Sequence, residues 1–274
     1  MSFDRETILK YRRFLKVFDD DIEKFPEGFQ TDQQKKLPNP PLQKPYPEDG
    51  KLVDLTPINE ISVGKEATLF ATLEGRKSLR VYNEEIMTLE ELSFLLWSTQ
   101  GVTKIDKHHG SSVKRPVPSG GSRHPYETYI IVLRVEGLEP GIYRYLGIEH
   151  KLLFKKSLSD FNIEDLIYDR PASDSDSEEL RKLIYQPFVL KGNVIFVWAA
   201  VPYRMEWRYS IPSSKVIAIE AGHICQNLYL ACGALGLGTC AIGAYSQEMV
   251  DKILELDGED EFTVYLAPVG KVDK

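Results

Sequence analysis

A Pro-flanked loop with two glycines and two serines precedes an apolar strand and offers ligand-binding chemistry. It lies in RPVPSGGSRHPYETYIIVL, residues 115–133. Gly120 and Gly121 leave the main chain bare and free to adopt positive φ. Ser119 and Ser122 add hydroxyl groups at the same level. The sequence therefore predicts a loop that receives something polar and flat, and the alternative is a surface turn that needs glycine and proline only for its shape.

A second candidate site is a short cationic segment in a chain with a formal net charge of -7. EGRKSLRVY, residues 74–82, places Arg76, Lys77 and Arg80 around Ser78. These types suit a phosphate, because arginine offers a fork of donors, lysine a point charge and serine a further hydrogen bond. The alternative is a charged loop that is simply solvated.

A third candidate is the Gly-rich turn LGLGTCAIG, residues 235–243, which follows a long apolar helix predicted for residues 213–235. Small residues on this helix allow other backbones to approach closely, so the helix belongs in the middle of a domain or across a dimer interface. His223 and Asn227 lie four apart on it. We interpret His223 as a hydrogen-bonded core residue, with a catalytic role as the alternative.

The remaining elements predict an α+β fold. Strands at 129–133, 141–147 and 151–154 form a meander, and the continuously apolar 193–201 is typical of a central strand buried on both faces. Hairpin-like and separated strands mixed with helices argue against a doubly wound sheet. Further predictions are a capping box of Thr88 and Glu91 with a Met87–Leu92 staple, an exposed loop at 102–114, a surface loop at 171–180, a helix from Ser246 and a last strand at 262–269.

The N-terminal region is predicted to be separate from the main domain. Residues 1–24 have helical spacing of apolar residues, whereas 25–49 contain six prolines, which favour extended structure. We expect this Pro-rich arm to wrap along its own domain or that of a subunit partner. The proposed division is 1–58 for helix and arm and 59–274 for the domain.

Composition excludes several classes of function. A charge of -7 and a pI near 5.4 argue against a nucleic-acid partner, since phosphate-tracking surfaces need clustered cations. No apolar run reaches the roughly 18 residues that a membrane span needs, and the N-terminus lacks a signal-peptide core. We expect a cytoplasmic protein. The three cysteines, and His108 and His109, lack zinc-site spacing, so no metal is predicted and the thiols are expected to be buried and reduced.

Six segments, in order, carry a resemblance to a known family. They are GRKSLR (75–80), LLWSTQG (95–101), RPVPSGGSRHPYETYIIV (115–132), GLEPGIYRY (137–145), EAGHICQNLYLACGALGLGTCAIGAY (220–245) and YLAPVGK (265–271). This set resembles the flavin-dependent nitroreductase-like superfamily, and within it the SagB-type dehydrogenases, which include azoline oxidases of peptide natural-product pathways.

The resemblance implies a nitroreductase-like α+β fold, with a central, mostly antiparallel sheet surrounded by helices, and an intertwined homodimer with two FMN molecules at the subunit interface. In this resemblance, backbone N–H groups of Ile242 and Gly243 would lie near the redox-active edge of the flavin, and Lys271 would add a charge at the phosphate. The phosphate and ribityl end would be held by Arg76, Lys77, Ser78 and Arg80, and the flavin would be bordered from the other subunit by Pro118, Ser119, Gly120 and Ser122.

One segment departs from the pattern of the azoline-oxidising relatives. Where they carry a Lys-Tyr pair, MEWRYS at 205–210 has Arg208 and Tyr209. Arginine stays protonated and makes a poor general base, whereas burial can tune lysine downward. Tyr209 could donate or accept a proton and Arg208 could bind a carboxylate or carbonyl; the alternative is an Arg-Tyr pair that packs on the surface.

These features predict an FMN-dependent oxidoreductase that transfers hydride between the flavin and a small conjugated substrate, with NAD(P)H as donor. The narrower alternative is an azoline (thiazoline or oxazoline) dehydrogenase acting on a peptide, and both directions of electron flow stay open. The rival from another class is a dimer that binds flavin or a peptide without turnover.

Overall fold

The computed structural model describes residues 5–16, 25–106, 112–166 and 186–273. Seven strands of these ranges form one sheet in the order β1-β6-β5-β4-β7-β9-β8, with antiparallel pairing throughout, and β2 and β3 form a separate hairpin. The strands are β1 (Leu52–Asp54), β2 (Lys104–Asp106), β3 (Ser112–Lys114), β4 (Tyr126–Val132), β5 (Gly141–Leu146), β6 (Lys151–Ser157), β7 (Val194–Ala200), β8 (Leu237–Thr239) and β9 (Phe262–Lys271).

Helices cover both faces of the seven-stranded sheet. The helices of the described ranges are α1 (Arg5–Arg12), α2 (Leu69–Gly75), α3 (Leu89–Gln100), α4 (Tyr203–Tyr209), α5 (Ser213–Leu235) and α6 (Gln247–Leu254). On one face, α3 and α5 pack on side chains such as Phe196 and Trp198. On the other face, α6 packs on Ile195 and Val197. Successive strand residues point to opposite faces, so β7 supplies both cores. The mostly antiparallel α+β architecture predicted from the sequence is confirmed.

Several predicted elements are confirmed in detail. Every residue of β7 is buried, as expected for a central strand, and β4, β5 and β6 form the predicted meander. Thr88 Oγ1 accepts from Glu91 N–H at 3.1 Å and Glu91 Oε2 accepts from Thr88 N–H at 2.9 Å, which completes the capping box. The long helix α5 begins at Ser213 and ends at Leu235.

Two predictions were wrong at short strands. The predicted loop at 102–114 contains the hairpin strands β2 and β3, whose three-residue lengths give too little alternation to detect in sequence. The Gly-rich turn after α5 begins with β8, which pairs with the end of β9. The predictions for His108, His109 and 171–180, and part of the helix at 1–24, lie outside the described residues.

The Pro-rich arm wraps along its own domain, which was one of the two expected arrangements. Trp207 Nε1–H on α4 donates to Leu37 O at 3.2 Å. Arg144 Nη2 on β5 donates to the carbonyls of Lys44 and Pro45, each at 3.0 Å. The arm leads into β1, which is the edge strand of the sheet although it precedes residue 58. A domain boundary at residue 58 stays a prediction. No helix in the described ranges is long and apolar enough to cross a membrane.

Candidate functional site

The Ser-Gly-Gly-Ser loop is held against α5 by hydrogen bonds. It contains one short 3-10 turn, Gly120–Ser122, in which Gly121 has a φ of 59°, the left-handed region that glycine adopts easily. Gly120 N–H donates to Glu220 Oε1 at 2.6 Å, and Ser119 Oγ accepts from His124 N–H at 2.8 Å. The loop is therefore positioned by the helix behind it.

The Arg208–Tyr209 pair lies directly beside this loop. A Cβ atom built on Gly121 would lie 2.7 Å from Arg208 Cδ and 3.0 Å from Tyr209 Oη, so glycine is required by the close approach. The Tyr209 ring also packs near Gly120, with Cε2 3.5 Å from an ideal Cβ there. Two predicted parts of the site, 86 or more residues apart in the chain, are thus brought together.

Glu220 also contacts the loop, although nothing in the sequence predicted this contact. Its side chain is 3% exposed, and it accepts from the Gly120 N–H and from the Ser119 side chain. Burial raises the pKa of its carboxyl group, and these two hydrogen bonds oppose the rise. The only sequence signal was a single acid in the apolar stretch of α5, which exposure on the helix surface would explain equally well.

We predict that Glu220→Ala lowers the free energy of unfolding by about 1–3 kcal/mol, because it leaves partly buried donors of the loop without their acceptor. Glu220→Gln keeps an acceptor oxygen and is the matched control. Because the pKa of this carboxyl is raised in the folded protein, Glu220 contributes stability fully at a pH below its unfolded pKa. The wild-type protein loses this contribution as the pH rises through the folded pKa. Glutamine does not titrate. The free energy of unfolding of Glu220→Gln in urea, relative to that of wild type, should therefore increase as the pH rises. Equal losses for Ala and Gln at every pH would contradict this assignment.

The cationic segment leaves the end of α2 and packs on β8. Leu79 N–H donates to Thr239 O at 2.9 Å, which fixes the backbone. The side chains of Arg76, Lys77, Ser78 and Arg80 are exposed, and in the described ranges none of the three cations forms a salt bridge. The segment therefore presents its charges outward from a fixed backbone.

Tyr229 on α5 connects the cationic segment to the Gly-rich turn. Its hydroxyl lies 3.0 Å from Ser78 Oγ and accepts from Ala241 N–H at 3.0 Å. The Arg76 guanidinium lies over its ring, 5.5 Å from the centroid. Tyr229 was not among the predicted site residues, since a tyrosine at helical spacing is usually a core residue. The two predicted features meet around this one side chain.

The Gly-rich turn presents one of its two predicted N–H groups. Ile242 N–H donates to Leu266 O at 2.8 Å and is used within the sheet. Gly243 is exposed, no atom lies within 4 Å of an ideal Cβ there, and its N–H has no partner among the described residues. Of the two predicted donors, the Ile242 N–H is therefore already occupied and the Gly243 N–H is not, and a role for either at a flavin stays a prediction.

The Lys271 ammonium is paired with a carboxylate of the same chain. Lys271 Nζ lies 2.7 Å from Glu91 Oε1, and both side chains are largely buried, at 19% and 11% exposure. The other oxygen of Glu91 caps α3. The sequence predicted a charge for Lys271 at a phosphate, and in this structure that charge is neutralised by Glu91.

His223 is exposed on α5, whereas the three cysteines are buried. The interpretation of His223 as a core residue was wrong, because it lies on the exposed side of α5, whereas Asn227 Nδ2 donates to Ser98 O at 2.8 Å. The expectation of buried, reduced thiols is confirmed, and burial raises the pKa of Cys225 to about 12. Within the part of the chain described, no three His, Cys, Asp or Glu residues are placed to hold a metal ion.

The fold and these clusters define the class of protein. The profile of the Nitroreductase family matches residues 73–271, which is more than half of the chain and includes the cationic segment, the loop and the Gly-rich turn. The chain therefore belongs to the nitroreductase family, whose members are typically FMN-dependent oxidoreductases.

Individual relatives agree with this assignment. The chain is 30% identical over 208 residues to a Methanocaldococcus jannaschii protein named as a nitroreductase, covering 76% of this chain and 92% of that protein. It is 30% identical over 150 residues to the microcin B17-processing protein McbC of Escherichia coli, covering 53% of this chain and half of McbC. A crystal structure from Ralstonia eutropha, also named as a nitroreductase, has a TM-score of 0.60 and 25% identity, covering 87% of this chain and 100% of that chain.

Proposed function

We propose that this protein is an FMN-dependent oxidoreductase that transfers hydride between the flavin and a small conjugated substrate, with NAD(P)H as donor. The observation that carries the proposal is the junction at Tyr229. There an outward-facing cationic segment and a turn with an exposed Gly243 N–H meet in one place. An anionic group and a hydrogen-bond acceptor of one ligand could bind there together.

The donors of the cationic segment fit the phosphate of FMN. Arg76, Lys77 and Arg80 have no carboxylate partner in the described ranges, so their charges are available to a ligand. Arginine forks and a lysine ammonium complement phosphate oxygens. Ser78 would add a hydroxyl contact, and its approach to Tyr229 limits where that hydroxyl can point.

The Gly-rich turn fits the ring of FMN. With no side chain at Gly243, a flat ligand can lie against the main chain. A fixed N–H at this point would stabilise negative charge, because it needs no reorganisation during reaction. The two-electron hydride chemistry is supplied by FMN when bound, so this chain needs no nucleophile of its own.

The position of the loop on α5 supports a homodimer. Glu220 holds the loop and Tyr229 lies at the cationic segment, nine residues further along α5. Nine residues span about 14 Å and about two and a half turns, so the two side chains point in directions about 180° apart. The loop and the cationic segment therefore lie on opposite sides of α5. We infer that Pro118, Ser119, Gly120 and Ser122 border the flavin of the partner subunit.

An exposed stripe on α5 supplies a surface for the partner subunit. Ala218, Ile219, Gly222, His223 and Gln226 are all exposed and recur at helical spacing along one side. Ile219 is 49% exposed, and Gly222 has no atom within 4 Å of an ideal Cβ, so another backbone could approach closely. A second copy of the chain would cover this stripe.

Azoline dehydrogenation is the second candidate, favoured by the similarity to McbC over half of its length. Arg208 weakens it, because arginine does not act as a base under ordinary conditions. Tyr209 could still donate or accept a proton.

The two candidates differ in which compound reduces the flavin. The purified, flavin-loaded protein is mixed without oxygen with NADH, NADPH or an azoline-containing peptide, and flavin absorption is followed. Bleaching by a nicotinamide and not by the peptide supports the reductase. Bleaching by the peptide alone would replace it with the azoline dehydrogenase, and no bleaching by any donor would favour a non-catalytic binding protein.

A further inference from the structure

Two arginine side chains converge on Gly121 beside Tyr209. Arg123 Nε–H donates to Gly121 O at 3.2 Å. Arg208 Nε lies 2.7 Å from the position of an ideal Cβ on the same glycine. Both side chains therefore contact the same loop residue: Arg123 follows the loop directly, and Arg208 lies on α4. We call these two residues the arginine pair.

Neither member of the arginine pair is neutralised by the described part of the chain. Arg123 Nη1 donates to the neutral amide oxygen of Asn39 at 2.5 Å, and no carboxylate lies within salt-bridge distance of either guanidinium in these ranges. Arg204 on the same helix as Arg208 is different, because it forms a buried salt bridge with Glu127. In a chain with more acids than bases, two adjacent unpaired guanidiniums are an unfavourable arrangement that an anionic ligand would relieve.

The surroundings hold the arginine pair in place. The Arg123 guanidinium lies over the Trp207 ring, 5.2 Å from its centroid, and the Arg208 guanidinium lies 5.5 Å from the centroid of Tyr209. Stacking on aromatic rings orients a guanidinium without using its N–H groups. Arg123 already donates through Nε and Nη1, so its Nη2 is the group that remains for a ligand. Burial lowers the pKa of Arg123, and the charge of Arg208 lowers it further, as expected for neighbouring cations.

We propose that the arginine pair is a carboxylate-binding subsite, which selects small conjugated substrates that carry a carboxylate group. This inference rests on the proposed oxidoreductase function, because it places the subsite beside the loop assigned to the flavin. Two guanidiniums can bind the two oxygens of one carboxylate in fixed orientation, and this fixes the conjugated part of the substrate relative to Tyr209.

The test compares 4-nitrobenzoate with 4-nitrobenzamide, which differ in charge at one end of the same ring. The measured quantity is the ratio of kcat/KM for the acid to that for the amide, so that losses shared by both substrates cancel. We expect Arg123→Gln and Arg208→Gln each to lower this ratio by about 10- to 100-fold. Arg208→Lys, which keeps the charge without the fork, should fall between them and wild type.

Lys252→Gln is the matched control, because it removes the same charge from the exposed surface of α6. Its ratio should equal that of wild type. If the acid-to-amide ratio is the same in wild type and in both arginine variants, the carboxylate subsite is overturned. This holds also if the variants raise the KM for NADPH, because the ratio is then still unchanged. If neither nitro compound is reduced, the proposed function is in doubt, and the subsite is tested by calorimetry of benzoate and benzamide binding. Weaker benzoate binding in the variants would support it, and unchanged binding would overturn it.

Discussion

The double variant Arg76→Ala/Arg80→Ala should purify largely free of flavin. Both side chains face outward from a fixed backbone and have no carboxylate partner in the described ranges, so they are available to a phosphate. Loss of two charge-assisted contacts weakens binding by about 3–6 kcal/mol, or roughly 100- to 20,000-fold in Kd. The measurement is flavin content per chain after purification, followed by titration with FMN.

Lys155→Ala/Lys252→Ala is the control for this variant, since it removes two exposed cations from other surfaces. It should retain flavin as wild type does. Because Arg76 and Arg80 are exposed, the thermal unfolding of the flavin-free double variant should match that of flavin-free wild type. Full FMN occupancy of the arginine double variant would contradict the phosphate assignment.

Ile219→Glu should produce a monomer that no longer retains FMN. Ile219 lies in the middle of the exposed stripe on α5, and a carboxylate buried there against a second copy would be desolvated without a partner. The expected cost is at least roughly 3 kcal/mol, or about 100-fold in the dimer Kd. The molar mass from light scattering and the flavin content per chain, measured on the same samples, should fall together. The reason is that the loop at Gly120 is proposed to border the partner's cofactor.

The matched control makes the same change on another surface. Ile105 on β2 is 40% exposed, and Ile105→Glu should remain dimeric and retain flavin. A monomeric Ile219→Glu that binds one FMN per chain with wild-type affinity would contradict the shared site. A variant that stays dimeric would show that α5 is not the interface.

Local patterns in the sequence predicted the elements whose signals are contained in a few neighbouring residues. The capping box at Thr88 and the continuous apolar run of β7 depend on short-range spacing, and both are found where expected. The three-residue strands β2, β3 and β8 could not be predicted in this way, because they are fixed by pairing with distant or equally short partners.

The parts of the candidate site that could be predicted are those whose charged, hydroxyl or glycine residues lie together in one short segment. The cations at 76–80, the loop at 119–122 and the Gly-rich turn each stand out in sequence, and all three lie within the residues that the family profile matches. Tyr229, Glu220 and Arg123 were not predicted, because the contacts that place them here are with residues remote in the chain: Ser78 for Tyr229, Gly120 for Glu220 and Trp207 for Arg123. The sequence could not predict that the Ile242 N–H donates to Leu266 O or that the Lys271 ammonium pairs with Glu91, because both contacts depend on the tertiary structure.

Anaerobic reduction and reoxidation of the bound flavin is the most direct test of the proposed FMN-dependent oxidoreductase activity. The wild-type protein loaded with FMN is titrated with NADH or NADPH without oxygen, and a nitroaromatic acceptor is then added. We predict that one equivalent of nicotinamide bleaches the flavin by a two-electron transfer, and that the acceptor restores its absorption. A protein that takes up no FMN, or whose bound flavin is neither bleached by any donor nor restored by any acceptor, would contradict the assignment.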